Sequence, residues 1–458
     1  MRAIGADRAE AMGRDPIWRL LFRFSAPVIV AMMVASSYSI VDAIFVGRLG
    51  TEALAALAIA FPVVMIFHAI AAGTGIGAAS LISRRMGAGE RERANKVAGV
   101  TITLTIILGA LVAIICLPNL EALLRLFGAS ESVLPLAKSY MSILFSFAIL
   151  DFFLMVIGII IIAEGNPVFP SIVMIVSAVV NIALDPVLIF GVGPIPAMGV
   201  AGAATATVTG QAIGVIIFII YFTSGRTSYR FRPSYFLPNL KIMAEIYRVG
   251  VASIVRSAAG SVVMVLVNRT AASFGVISLA VVGILFRSSS FVLLPSMGLT
   301  QGVLPLVGYN FGAKQMERVG EVLIKAGLVS FVWGALCWAV FMLFPSQVIS
   351  IFSTEPQFLV EGTRALRIFA LLFFVVGVQM ILGTFFQGIG KGLPSLVLAS
   401  ARHVIFLLPG LLILPRIFGL TGLWVIFPIA DILSTMLSLL WAGIQFRRLG
   451  IRFRLRYR

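Results

Sequence analysis

Asp185 and Pro186 stand side by side inside 171-SIVMIVSAVVNIALDPVLIFG-191, a run apolar enough to cross a bilayer. An ionised Asp at mid-membrane costs roughly 2.5–3.5 kcal/mol on insertion scales, so such a residue faces a cavity or a partner and has a task. Asn181 lies four positions earlier and shares a helix face with Asp185. Pro186 has no N–H, so the carbonyl of Ile182 loses its intrahelical partner. Amide, carboxylate and freed carbonyl together offer oxygen ligands to a small cation such as Na⁺, and would equally stabilise a carboxyl that exchanges a proton. A second group stands in the first apolar run, where Tyr38, Ser39 and Asp42 share one helix face and Pro27 offers a bending point. The rival reading makes Asp42 and Asp185 buried partners of arginines further along the chain, holding its two halves together.

Other polar residues in apolar runs carry less. Asp151, in 147-FAILDFFLMVIG-158, is read either as a functional group or as a hydrogen-bond partner of a neighbouring helix. Glu164, in 161-IIAEGNP-167, falls near the end of a run, where a loop or cap role is expected before a proton role. Arg256, Arg287 and Arg402 occupy the second half, and Arg287, Arg402 and Asp431 are expected to form a structural ion-pair network. His68 and His403 are expected to be satisfied packing residues.

The elements that must hold these groups follow from composition. The chain has 458 residues, of which 60% are hydrophobic and 12% charged. A soluble domain could not bury so much apolar surface, so the chain reads as a polytopic membrane protein. Lys and Arg outnumber Asp and Glu by 35 to 18, a net charge of +17 that in a soluble protein would suggest nucleic acid. Here the basic residues crowd into short loops and tails, as the positive-inside rule expects, and no nucleic-acid partner is expected. Cys116 and Cys337 both lie in apolar runs, so neither a disulfide framework nor a metal cluster is implied. With no HExxH or GxSxG, an intramembrane enzyme is poorly supported. The charged start MRAIGADRAEAMGRDPIW is read as a cytoplasmic tail and not a signal peptide.

Runs of about 20 or more apolar residues number twelve. Their limits are 18–46, 53–83, 92–117, 135–163, 168–191, 199–224, 241–273, 277–309, 315–344, 357–387, 394–416 and 420–446. Arg2, Arg8 and Arg14, the 84-RRMGAGERERANK-96 loop, the 226-RTSYRFRPSYFLPNLK-241 segment and the tail 447-RRLGIRFRLRYR-458 fall on one side. That side is expected to be the cytoplasm, with both termini cytoplasmic in a multi-pass protein of the cell membrane. The aromatics and arginines of the 226–241 segment suit a membrane surface. The chain thus divides into lobes at 1–225 and 241–458 joined by a cytoplasmic linker at 226–240.

The lobes repeat. Sliding the sequence by 225 positions sets 84-RRMGAGERERANKV-97 on 309-YNFGAKQMERVGEV-322, and Gly50, Leu54, Ala55 and Phe61 on Gly275, Leu279, Ala280 and Phe286. Nearby offsets pair 169-FPS-171 with 393-LPS-395 and 199-GVAG-202 with 419-GLTG-422. Six spans is an even number, so the expected fold is all-α, with twelve transmembrane helices in two parallel six-helix repeats. The deep carboxylates do not repeat: Asp42 meets Val267 and Asp185 meets Pro409.

The runs 41-VDAIFVGRLGTEALAALA-58, 181-NIALDPVLIFG-191, 199-GVAGAATAT-207, 308-GYNFGA-313, 387-QGIGKGLPS-395 and 422-GLWVIFPIAD-431 resemble multidrug and toxic compound extrusion (MATE) transporters, with the DinF-like branch nearest. The resemblance covers nearly the whole chain. It implies two six-helix lobes of the MATE/MOP-superfamily fold around a cleft, and efflux of amphipathic, often cationic compounds in exchange for H⁺ or Na⁺. It further implies a coupling site at Asp42, Asn181, Asp185 and Thr207 or Thr205, with Pro27 as the first-helix hinge. The branch favours H⁺, while Na⁺ at Asp42, Asn181 and Asp185 stays open. No other cofactor is implied, and a monomer in the lipid bilayer is expected. The fourth run departs from the family, carrying Asp151 where relatives carry cavity asparagines. Two rivals remain: a lipid or lipid-linked oligosaccharide flippase of the same superfamily, and a membrane-embedded enzyme or scaffold.

Overall fold

The computed structural model describes residues 3–451, with side chains from Asp7 onward. Arg2 and the 452–458 end of the basic tail lie outside the described residues. The fold is all-helical; among the described residues the one extended pairing is an isolated bridge between Val192 and Ile195. In a bilayer each backbone N–H and C=O must find its partner within the segment, and a helix supplies all of them.

A short amphipathic helix, α1 (Ala3–Arg14), precedes the spans. The first half follows with α2 (Ile17–Gly47), α3 (Thr51–Gly87), α4 (Arg91–Cys116), the short α5 (Leu120–Leu126), α6 (Leu134–Ser146), α7 (Ala148–Ala163), α8 (Val168–Phe190) and α9 (Val200–Thr223). The second half repeats the order with α10 (Leu240–Phe274), α11 (Val276–Gly312), α12 (Met316–Leu343), the short α13 (Pro345–Ser350), α14 (Pro356–Phe369), α15 (Phe373–Gly388) and α16 (Gly392–Ser400). A π-helical stretch, Ala401–Leu407, then leads into α17 (Leu408–Leu449). The run expected at 135–163 is α6 and α7, bent by 56°, and the run at 357–387 is α14 and α15, bent by 43°. Nine other helices are long and apolar enough to cross a membrane. The last of them is cut in two at Gly419, whose φ of 58° and ψ of −143° are not helical. Counted this way the spans come to twelve among the described residues.

Backbone geometry repeats along with the order. Gly50 and Gly275, set 225 positions apart, start α3 and α11 with φ of 126° and 124°. Gly199 and Gly419 open the sixth and twelfth spans with φ of 55° and 58°. Only a residue without Cβ takes these values at little cost, so the same turn recurs in both halves with the same residue.

Buried apolar residues separate by position. One core draws on both halves, joining Leu20 and Phe24 with Ile82, Leu306 and Phe385. Three further cores each belong to one half, around Phe145 and Phe152 and around Val46 and Ile189 in the first, and around Phe369, Trp424 and Phe427 in the second. The halves are therefore closed against each other at the end that carries α1, the 226–240 linker and the basic 84–96 loop, and keep separate cores toward the other end. Gly73 and Gly250 permit the closure between α3 and α10, since a Cβ on Gly73 would lie 2.8 Å from the Gly250 carbonyl oxygen. Ser83 and Gly308 meet just as closely between α3 and α11. Large exposed apolar side chains such as Phe22, Ile114, Phe291 and Leu440 cover the outside, where lipid replaces water.

Two expectations are corrected here. Two aromatics of the 226–241 segment turn into the protein, while Arg226, Arg230 and Arg232 stay exposed. Tyr229 and Tyr235 are buried, Tyr229 donating its hydroxyl to the Ile160 carbonyl (2.6 Å) and Tyr235 donating to Glu92 (3.0 Å). The reason is that a buried Tyr gains area and a hydrogen bond at once, so the linker is strapped across the first half. The amino-terminal segment is also more than a tail. Met12 is fully buried, and its carbonyl accepts from Asn310 (3.1 Å) and Arg318 (3.2 Å) of the second half.

Candidate functional site

The site is built where α2, α8 and α9 pack together. α8 and α9 approach closely because α9 presents Gly202, Gly210 and Gly214 to its neighbour; a Cβ on Gly210 would lie 2.6 Å from the Ser177 carbonyl oxygen. That contact brings Asn181 of α8 to Thr207 of α9, with Nδ2 donating to Oγ1 at 3.2 Å. Thr205 instead donates to the Ala201 carbonyl of its own helix at 2.8 Å. Of the two threonines, Thr207 is the one in contact with Asn181.

Asp185 is fully buried, Asn181 is 3% exposed and Asp42 is 8% exposed. Asp42 Oδ1, Asn181 Oδ1 and both carboxylate oxygens of Asp185 are buried with no hydrogen-bond partner, as is Ser177 Oγ one turn before Asn181. The two carboxylates lie within electrostatic reach of each other. Buried acceptors are almost always paired, because leaving one unsatisfied costs about 1–3 kcal/mol or more. Four such oxygens on two packed helices, α2 and α8, fit a proton or a small cation that takes oxygen ligands, and fit no anion. Pro27 and Pro186 both sit inside helices that continue unbroken past them.

The pairing of Asp42 and Asp185 with C-terminal arginines does not form. Among the described residues no ion pair joins either carboxylate to Arg256, Arg287 or Arg402. Arg402 instead binds Asp431 in its own half, Nε to Oδ1 at 2.5 Å. The expected network is smaller than the sequence suggested. Arg287 is exposed on α11, with no ion pair among the described residues. Arg256 is half-buried and reaches Ser253 at 3.4 Å.

Asp151 bonds to both neighbouring helices. Gln211 Nε2 of α9 donates to its Oδ1 at 2.9 Å, and His68 Nε2 of α3 lies 3.0 Å from its Oδ2. His68 is therefore satisfied, as expected, through a polar contact with Asp151 across helices. His403 departs from that expectation: the residue is half-buried, and its Nδ1 atom is buried without a partner among the described residues. Tyr38, half-buried, stands within electrostatic reach of Asp151, Asp42 and Asp185, so these groups share one polar region of the first half. Tyr140 of α6 belongs to it as well and was missed. Gln211 was missed too, although it follows Thr207 by four residues and so occupies the same face.

Glu164 has the expected loop role. In the turn between α7 and α8, it accepts from the hydroxyl of Tyr221, from Thr227 Oγ1 (2.7 Å) and from the Ser228 N–H (2.9 Å). Burial pushes its carboxyl up to about 7, against the lowering effect of those donors and of Arg8.

Two repeats of six spans around a polar region of buried carboxylates define a membrane transporter, a protein that moves small molecules through the lipid bilayer and is not an enzyme. The MatE family model matches residues 27–187 and again residues 252–412, two matches set 225 positions apart. The chain belongs to the MatE family of multidrug and toxic compound extrusion transporters. It is 29% identical over 410 residues to the multidrug export protein MepA of Staphylococcus haemolyticus, covering 89% of each chain. It is 29% identical over 427 residues to an FAD transporter of Shewanella oneidensis, covering 91% of this chain and 92% of that one. Among solved structures, MATE in the bent conformation superposes with a TM-score of 0.91 at 28% identity, covering 97% of this chain and 98% of the other. A MOP-superfamily transporter from Pyrococcus furiosus gives 0.89 at 29% identity, covering 96% and 98%.

Proposed function

We propose that the chain is a cation-coupled efflux antiporter for amphipathic, often cationic compounds, with H⁺ the coupling ion before Na⁺. The observation that carries this is the set of buried, unpartnered oxygens on Asp42, Asn181 and Asp185, with no ion pair to either carboxylate among the described residues. Two carboxylates in mutual reach cannot comfortably both be ionised, so one proton shared between them is the simplest occupant. The multidrug export named for the staphylococcal relatives supports the substrate class. The basic loops support a cytoplasmic side for both termini, which makes this the state with the halves closed on the inside and the polar region reached from outside. Lobes 1–225 and 241–458, joined at 226–240, would rock between this state and its opposite. Both lobes lie in one chain, which makes a monomer sufficient.

The energetics suffice. One cation moving inward down 100 mV releases about 2.3 kcal/mol, enough for roughly a fortyfold gradient of a neutral compound before any pH contribution. Alternation follows if the cation and the exported compound favour opposite arrangements of the lobes, since a ligand shifts an equilibrium only by differential affinity. The test is dye movement in proteoliposomes under a pH gradient alone, a Na⁺ gradient alone, or neither, for the wild type and Asp185→Asn. A pH gradient should drive transport in the wild type and not in the variant. Equal driving of both proteins would remove Asp185 from the coupling site, and driving by Na⁺ alone would change the ion. If neither gradient moves dye, lipid substrates become the next to assay.

A further inference from the structure

The second half holds a cavity of about 260 Å³ bounded by Phe286, Phe369, Phe373 and Phe427, with Arg402 and His403 at its polar side. It is not an arbitrary void. At the repeat offset of 225, its lining residues Val263, Leu293 and Val376 are the counterparts of Tyr38, His68 and Asp151. At the offset that pairs Gly199 with Gly419, Phe427 is the counterpart of Thr207. The cavity therefore occupies in the second half the place that the polar region occupies in the first, with its chemistry inverted. Each hydroxyl, imidazole or carboxylate at these positions has become aliphatic or aromatic, and the charge at its edge is a guanidinium.

The local backbone serves that edge. Arg402, His403 and Leu407 line the cavity from within the π-helical stretch, whose i→i−5 pattern is shown by Leu408 N–H bonding to the His403 carbonyl. Short π-helical segments recur at functional sites because they re-aim side chains within an otherwise regular helix. Arg402 spends Nε on Asp431, while its two terminal nitrogens have no protein partner among the described residues. Asp431 is fully buried and Arg402 remains 20% exposed, so the guanidinium is the member of the pair that a ligand can reach. Arg256 lies within electrostatic reach of His403 and adds positive charge.

We propose that this cavity is a binding site for a small aromatic compound bearing one carboxylate, its ring among the phenylalanines and its oxygens on the terminal nitrogens of Arg402. A planar guanidinium binds carboxylate through two parallel hydrogen bonds, stronger than neutral ones. The volume lies at the lower edge of pockets that take whole drug-sized molecules, roughly 300–1,000 Å³, so it suits a two-ring acid or the aromatic end of something larger. The site does not rest on the coupling role of Asp42 and Asp185. With cation-binding groups in one half and an anion-binding aromatic pocket in the other, the two halves would grip different chemistries.

Calorimetric titration of the full chain in lipid nanodiscs, with empty nanodiscs as the blank, tests this using 2-naphthoate and its neutral analogue 2-naphthylmethanol. Naphthoate should bind the wild type about tenfold or more tightly than the alcohol. Gly260→Phe puts a ring into the cavity at a position where an added Cβ meets nothing within 4 Å, and should abolish binding of both compounds. The double variant Arg402→Gln with Asp431→Asn removes both charges together and should lose the preference for naphthoate while keeping the alcohol. Asp185→Asn should bind naphthoate as the wild type does, which separates this site from the coupling site. Equal affinity of the two compounds for the wild type, or unchanged naphthoate binding in Gly260→Phe, would overturn the proposal.

Discussion

Individual side chains here are defined by what they lack or gain on burial. Asp185 and Asn181 lack partners for their oxygens, and Asp42 for one of its two. Asp185→Asn keeps the shape of that residue and removes its charge, so its effect should fall on gradient-driven transport and not on folding. Dye uptake should drop to the no-gradient level while the melting midpoint holds or rises, because an uncompensated buried charge has been removed. Glu164 is the opposite case, a buried carboxyl surrounded by donors outside the spans. Its folded pKa of about 7 exceeds the usual 4.5, so the folded state holds this proton more tightly than the unfolded chain does. The contribution of this group to stability is then fully present below about 4.5 and is lost as pH rises through 7. Melting midpoints measured from pH 5 to pH 8 should fall less steeply in Glu164→Gln than in the wild type, and parallel slopes would count against the shift.

Helix contacts decide whether those side chains meet. The Asn181–Thr207 hydrogen bond exists because α9 offers no side chain at Gly210, where the Ser177 carbonyl passes. Gly210→Leu should force α8 and α9 apart at a cost of about 1–3 kcal/mol, typical of overpacking. It should abolish pH-driven dye uptake although no coupling residue has been altered, and Gly210→Ala should lie between the two. Wild-type transport in Gly210→Leu would mean that the helices accommodate the side chain elsewhere and that Thr207 is dispensable. The two bent spans belong to this scale too. Their breaks, at Phe147 and at residues 370–372, sit near corresponding repeat positions, so the bend is a property of the repeated unit.

At the scale of the molecule, one shared core holds the halves together at the basic end while each retains its own core elsewhere. Opening that end must break contacts such as the bond from Ser80 to the Gln387 carbonyl and the approach of Ser83 to Gly308. A Cβ on Gly308 would lie 2.8 Å from that of Ser83, so the two helices must part by about 1 Å to reach the spacing of a disulfide. The Ser83→Cys, Gly308→Cys pair should form a disulfide on oxidation, stop turnover in proteoliposomes, and regain it on reduction. Turnover undiminished by a verified disulfide would show that this end need not open.

Apolar periodicity and charge were enough to count twelve spans, because a helix that must satisfy its own backbone in lipid declares itself in composition alone. The 225-residue repeat and the asymmetry of its carboxylates were equally readable, since both are matters of position along one chain. Partnership was not. Whether Thr205 or Thr207 reaches Asn181, whether Asp42 and Asp185 bind the C-terminal arginines, and what His68 pairs with all depend on helix rotation and distance. The alternation of small and large residues on facing helices sets those quantities, and no single helix records them. The burial of Tyr229 and Tyr235 was hidden for the same reason, as a basic aromatic linker suits a membrane surface or a protein groove equally well until the groove is known. The inverted pocket of the second half shows both levels at work. The repeat says which residues correspond, and only packing makes Val263, Leu293, Val376 and Phe427 four walls of one cavity.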